Sequence, residues 1–92
     1  MRIVWAEQAR QEREAQYRFY LARNPDAARR MRTRVRERLD WLRQTPKGGR
    51  PGHVQGTREL VIPGTPWVIV YQENPVQIEI VHFFHGRQDW QQ

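Results

Sequence analysis

The sequence contains neither cysteine nor serine, and its sixteen basic side chains include a single lysine. Without cysteine there is no disulfide framework and no thiolate metal site, so nothing calls for an oxidising compartment. Without either residue the two commonest nucleophiles of covalent catalysis are gone, which excludes serine and cysteine hydrolase triads. Long apolar runs are missing as well. No window approaches the roughly 18 apolar residues of a membrane span, and Met1-Arg2-Ile3-Val4-Trp5-Ala6-Glu7 holds no apolar leader segment. A soluble, uncleaved, cytoplasmic protein is the expectation. At 92 residues the chain has room for one domain over 1–92 with one compact core, burying about two-thirds of the surface its unfolded form exposes.

What is present in abundance is arginine. Fifteen of the sixteen basic residues are Arg, ten residues are acidic, and the net charge is +6. Residues 1–44 hold twelve Arg and six acids, whereas residues 45–92 hold four basic and four acidic residues, so all the net charge lies in the first half. The planar guanidinium favours bidentate contacts to carboxylate or phosphate. The expected partner is therefore a macromolecule carrying negative charge.

Arg2 to Trp5 is a short apolar run suited to an edge strand. Glu7 to Arg23 favours helix, with Ala6, Ala9, Tyr17, Tyr20 and Leu21 on one side and Arg10 and Arg13 interrupting it. Asn24-Pro25-Asp26 reads as a helix start, with Asn24 as N-cap and Pro25 at the first helical position. The helix that follows runs to about Gln44, and Ala28, Met31, Val35, Leu39 and Leu42 form its apolar face. Thr45 to Gly52, rich in Pro and Gly, predicts a loop. Three β-prone runs follow, Thr57 to Ile62, Trp67 to Gln72 and Val76 to Phe84, with connections short enough for an antiparallel meander. The expected fold is α+β, β-α-α-β-β-β, with an α-helical hairpin on one face of an antiparallel sheet.

Arg29, Arg32, Arg36 and Arg43 fall in one column beside the apolar stripe of the second helix, a candidate binding surface or a solvated face. Trp41 projects away from that stripe, where it can stack on Arg38 or Arg34, pack on the first helix or anchor a partner. His82 and His85 invite a metal reading, but residues three apart on a strand point to opposite faces and no carboxylate stands at ligand spacing. No metal or cofactor is expected. The last run is apolar on both faces: Ile78, Ile80, His82 and Phe84 on one, Val81 and Phe83 on the other with Gln77 and Glu79. Either a partner or the loop from Pro46 to Gly56 covers the face away from the helices.

Gly49-Arg50-Pro51-Gly52, Gly56-Thr57-Arg58-Glu59-Leu60-Val61, Val68-Ile69-Val70-Tyr71, Ile78-Glu79-Ile80-Val81 and His85-Gly86-Arg87-Gln88-Asp89-Trp90, in that order and spacing, resemble the RelE/ParE toxin superfamily of type II toxin-antitoxin modules. The likeness takes in Asn24-Pro25 and covers nearly the whole chain. It implies a bacterial growth-inhibiting toxin neutralised by a cognate acidic antitoxin in a hetero-oligomer, with Arg29, Arg32, Arg36, Arg43 and Trp41 as antitoxin-binding candidates.

The superfamily divides by activity. ParE-like members bind and poison DNA gyrase, and here Arg87, Asp89 and Trp90 are the target-binding candidates. RelE-like members cleave ribosome-bound mRNA without a metal. For that activity Arg58 and Arg87 are candidate phosphate clamps, and Glu59, His82 and His85 candidate proton donors and acceptors. The uncharged Trp67 to Tyr71 run and the Asp89-Trp90-Gln91-Gln92 tail depart from the RelE-like pattern and favour the ParE-like, non-enzymatic reading. A basic nucleic-acid-binding domain is the third alternative, drawn from the high pI and the arginine column.

Overall fold

The computed structural model describes residues 1–86. Its elements are β1 (Arg2–Trp5), α1 (Glu7–Arg23), α2 (Pro25–Gln44), β2 (Arg50–Pro51), β3 (Arg58–Val61), β4 (Trp67–Glu73) and β5 (Gln77–His85). The α+β class and the expected order hold, with one addition. Inside the segment read as loop, Arg50 and Pro51 form β2 and pair antiparallel with Glu59 and Arg58. A proline fits there because an edge strand can lack a donor without breaking a ladder.

The sheet order is β1-β5-β4-β3-β2, and the sheet is mixed rather than wholly antiparallel. β2 to β5 form the meander, while β1 lies parallel to β5 along Arg2 to Trp5 and Gln77 to Ile80. The chain reverses twice between β3 and β5, so those two strands run the same way. After the helical hairpin the chain enters β2, antiparallel to β3, so β3 again runs in the direction of β1. β1 thus reaches the edge of β5 already parallel to it.

Asn24 ends one helix and starts the next. Its backbone N–H donates to Tyr20 O at 2.7 Å, and its side-chain oxygen accepts from Ala27 N at 3.1 Å. Such a cap stabilises a helix by about 1 kcal/mol. On α2 all five expected core residues, Ala28, Met31, Val35, Leu39 and Leu42, are buried. Four of them join Leu60, Trp67, Ile69, Tyr71, Ile78, Ile80 and Phe83 in the main core.

The expected apolar stripe of α1 faces the sheet in part: Ala9 is buried and Ala6 and Tyr20 pack on the core, but Leu21 is exposed, and the inward row runs Ala9, Glu12, Gln16 and Tyr20, steps of three or four. The Glu12 carboxylate accepts from Phe83 N at 3.0 Å, the Gln16 carbonyl accepts from Trp67 Nε1 at 3.1 Å, and Tyr20 meets the Trp67 ring edge-on at 5.7 Å. β1 stops at Trp5, opposite Ile80, so the rest of the β5 edge has no strand beside it. A polar helix face satisfies donors there, which a purely apolar face would bury unpaired.

β5 carries a bulge. Val70 pairs with His82 but Tyr71 pairs with Ile80, which leaves Val81 without a partner residue on β4. One extra residue inverts the alternation. Ile78 and Ile80 before it and Phe83 after it therefore enter the same core, while Phe84 joins Val68, Val70 and Val81 on the opposite face. That face is not left open: Val68, Val70 and Phe84 are buried, and beside them His53 of the β2–β3 connection reaches Glu59.

Candidate functional site

A cleft of about 630 Å3 opens between the two helices. Trp5, Val35, Leu39 and Trp67 contribute its apolar lining, Arg13, Glu14 and Tyr17 come from α1, and Arg29, Arg32, Arg36 and Arg43 come from α2. The whole arginine column therefore lies in one concavity. The fifth arginine, Arg13, is one of the residues that spoil the α1 stripe. It spoils the stripe because it serves the cleft: its guanidinium sits 4.4 Å from the centre of the Trp5 ring and 3.1 Å from Glu14 Oε1.

Five guanidinium groups face one carboxylate, and most are held loosely. Arg29 pairs with Asp26 and Arg43 with Asp40, each one turn away on the exposed surface of α2. Such exposed pairs are each worth about 0–1 kcal/mol, so a partner's carboxylate can displace them. Arg32 lies 4.9 Å over the Tyr17 ring and donates to its hydroxyl at 3.4 Å. Arg36 has no hydrogen bond or ion pair among the described residues. Below the charges Trp5 packs on Phe83 at 6.1 Å and Phe83 on Trp67 at 5.0 Å. An anionic segment with an apolar side chain directed at this floor would meet both requirements of the cleft.

Trp41 is not part of this surface. It stands on another side of α2, with Arg38 stacked 4.1 Å from its ring centre and Gly48 beneath it, where an added Cβ would come within 2.2 Å of the indole. The neighbouring cations there are occupied by backbone. Arg34 donates to Pro63 O at 3.1 Å and Arg38 to Val61 O at 3.4 Å. Gly64 adopts φ +76°, and an added Cβ would lie 2.5 Å from Arg34 Nη1.

Among the described nuclease candidates, Arg58 and Glu59 point to opposite faces of β3. Arg58 faces the helix side opposite Tyr71 and holds the loop, donating to Lys47 O at 3.2 Å and Gly49 O at 3.0 Å. Tyr71 braces the same loop from inside the core, accepting from Gly49 N at 2.8 Å and donating to Pro46 O at 2.9 Å. Burial holds the Tyr71 phenol above its ordinary 10.0. Glu59, one residue on, points to the opposite face. His82 sits beside the bulge with Nδ1 3.4 Å from Glu12 Oε1, and His85 pairs with Trp67 at the end of β5. Arg87, Asp89 and Trp90 lie outside the described residues.

Among the described residues Glu59 is the one buried carboxylate, its side chain 2% exposed. Arg50 donates to Oε1 from Nε at 3.2 Å and Nη2 at 2.9 Å, and His53 Nδ1 lies 2.9 Å from Oε2. Burial pushes the carboxyl up, but the hydrogen bonds from His53 and Arg50 outweigh it and hold Glu59 below its ordinary 4.5. A carboxyl lowered by folding contributes stability that is full above its unfolded value, near 4.5, and lost as pH falls through the folded one. Glu59→Gln is accordingly expected to cost about 1.5–3 kcal/mol at pH 7, the range for hydrogen bonds to charged groups. Thermal melts of both proteins at pH 7 and pH 3 check this: the gap should narrow at pH 3, and an equal gap at both would contradict the assignment.

Sequence reasoning gave the column on α2 but missed Trp5, Arg13 and Tyr17 as its neighbours across the cleft, and His53 as the partner of Glu59. The signal for Arg13 was present as a charge interrupting the apolar side of the first helix. Nothing local marks His53. Among the described residues no three His, Asp or Glu side chains gather at metal-binding distance, and no helix is long and apolar enough to cross a membrane.

Comparison with known proteins gives three findings. The family model described as the ParE toxin of the type II toxin-antitoxin system, parDE, matches residues 3–90. A relative named "Putative toxin Y4kP", from Sinorhizobium fredii (strain NBRC 101917 / NGR234), is 39% identical over 69 residues, 75% of this chain and 71% of the relative. A solved structure described as the chromosomal ParDE TA system from P. aeruginosa superposes with a TM-score of 0.81 at 24% identity, covering 92% of this chain and 95% of that one. At that identity the likeness is one of fold.

Proposed function

This chain belongs to the ParE toxin family of type II toxin-antitoxin systems, and on that premise we propose that it arrests growth by binding DNA gyrase in the cytoplasm until a cognate acidic antitoxin occupies its arginine-lined cleft. The observation that carries the antitoxin part is the cleft itself: five arginines against one acid over a floor containing two tryptophans. An acidic segment that is flexible when free gains both charge pairing and apolar burial by ordering there. The resulting toxin-antitoxin hetero-oligomer hides Arg36, the cleft arginine that has no hydrogen bond or ion pair among the described residues.

Inhibition by binding rather than by RNA cleavage draws support from the dispersal of Arg58, Glu59, His82 and His85. Arg58 is held by loop carbonyls, Glu59 by Arg50 and His53, and His82 lies 3.4 Å from Glu12. A second reading, metal-independent cleavage of ribosome-bound mRNA, has one observation in its favour. Glu59 orients His53, whose side chain is 68% exposed, next to Arg50, and an oriented imidazole beside a guanidinium can move a proton at a phosphate.

One assay pair separates the two. The purified chain is expected to inhibit gyrase supercoiling and to leave mRNA on translating ribosomes intact, with antitoxin reversing the inhibition. Codon-positioned cuts found by primer extension, and lost in His53→Gln, would establish the second reading instead.

A further inference from the structure

Resting on the reading of the cleft as the antitoxin's docking surface, we infer that Glu14 is the residue that selects among acidic segments. It is the lone carboxylate in a lining of five arginines and favours a Lys or Arg at one position of the bound chain. The arginine column alone is undiscriminating. Arg29, Arg32, Arg36 and Arg43 present positive charge along one side of α2, a rise of about 21 Å for fourteen residues, and any acidic helix can slide along such a track. Specific interfaces add a repulsive element that penalises the wrong register.

Glu14 is placed to be that element. It lies on the α1 wall, across from the column, with its side chain 39% exposed and paired with Arg13 at 3.1 Å. Arg13 is in turn fixed over the Trp5 ring at 4.4 Å. The carboxylate is thereby anchored at the edge of the apolar floor, where a bound segment is most desolvated and where charge interactions are strongest. A carboxylate brought opposite Glu14 meets like charge at short range, whereas an ammonium or guanidinium completes a three-member chain with Glu14 and Arg13. The selected ligand is a helical segment acidic along one face and interrupted by one basic residue.

The probe is a 20-residue helical peptide carrying Glu along one face, together with a series in which Lys replaces one Glu at a time, titrated against the full chain. One lysine position should tighten binding to the unaltered protein about tenfold or more relative to the all-Glu peptide. In Glu14→Gln that preference should vanish, and in Glu14→Lys the all-Glu peptide should bind best. Thermal melts confirm that the variants fold. If Arg36→Glu abolishes binding but Glu14→Gln leaves the ranking of peptides unchanged, the role of Glu14 is overturned while the cleft reading stands. If neither Arg36→Glu nor Glu14→Gln alters binding, the cleft reading fails and the inference with it.

Discussion

The triple variant Arg29→Glu, Arg32→Glu, Arg36→Glu is expected to bind the antitoxin about a hundredfold or more weakly than the unaltered chain. The three residues lie on one wall of the cleft, within about 10 Å of helix, so a bound acidic segment meets them together. Replacing attraction by like-charge contact costs several kcal/mol, and each 1.4 kcal/mol is about tenfold in affinity. The fold itself should change little, since the lost intramolecular contacts are an exposed pair with Asp26 and a stacked, hydrogen-bonded contact with Tyr17. Calorimetric titration at two salt concentrations reads both parts of the effect. The unaltered chain should bind more weakly in high salt, because charge steering is screened over about 10 Å at 0.1 M, and the variant should have lost that dependence. An affinity equal to that of the unaltered chain would assign the column to solvent.

Trp67→Ala is expected to be the most damaging single substitution in the described residues. The side chain is 2% exposed and joins α1 to the sheet: it packs on Phe83, meets Tyr20 edge-on and donates to Gln16. Truncating a buried Trp costs about 3–5 kcal/mol, against about 5–15 kcal/mol of total stability for a domain. A fall in melting temperature of more than about 10 °C should follow. Trp67→Phe keeps most of the apolar volume but leaves the Gln16 carbonyl without its donor, and should cost about 1–3 kcal/mol. If Trp67→Ala melted within a few degrees of the unaltered protein, the packing described for the cleft floor would be wrong. Because Trp67 also lines the cleft, Trp67→Phe should weaken antitoxin binding by less than the loss of any cleft arginine.

The two activities left open by the sequence differ in what they ask of the sheet. RNA cleavage needs a base, an acid and a phosphate clamp within a few ångströms of one another. Arg58 and Glu59 are adjacent in sequence yet face opposite ways, and each is already engaged, the first by carbonyls of the loop and the second by Arg50 and His53. Gyrase binding makes no such demand. It needs a surface, and a fold whose helices and core are braced independently of that surface can present one.

What the sequence determined by itself was everything that repeats within one element. A helix turns every 3.6 residues whatever surrounds it, so Ala28, Met31, Val35, Leu39 and Leu42 declared the buried face of α2, and Arg29, Arg32, Arg36 and Arg43 declared the column beside it. Asn24-Pro25 marked the hairpin because capping and proline geometry act over three or four residues. The family resemblance was legible for the same reason, being carried by short runs in a fixed order. Only the tertiary structure decided what met across elements. It laid β1 parallel on β5, slipped the register at Val81 so that Ile80 and Phe83 enter one core, and turned a polar row of α1 toward an edge that β1 does not reach. It also brought Arg13 and Glu14 opposite the column and His53 onto Glu59. These contacts join residues that no local period links. Which arginines remain available to a partner was set by the carbonyls, rings and carboxylates that the fold happened to place within reach.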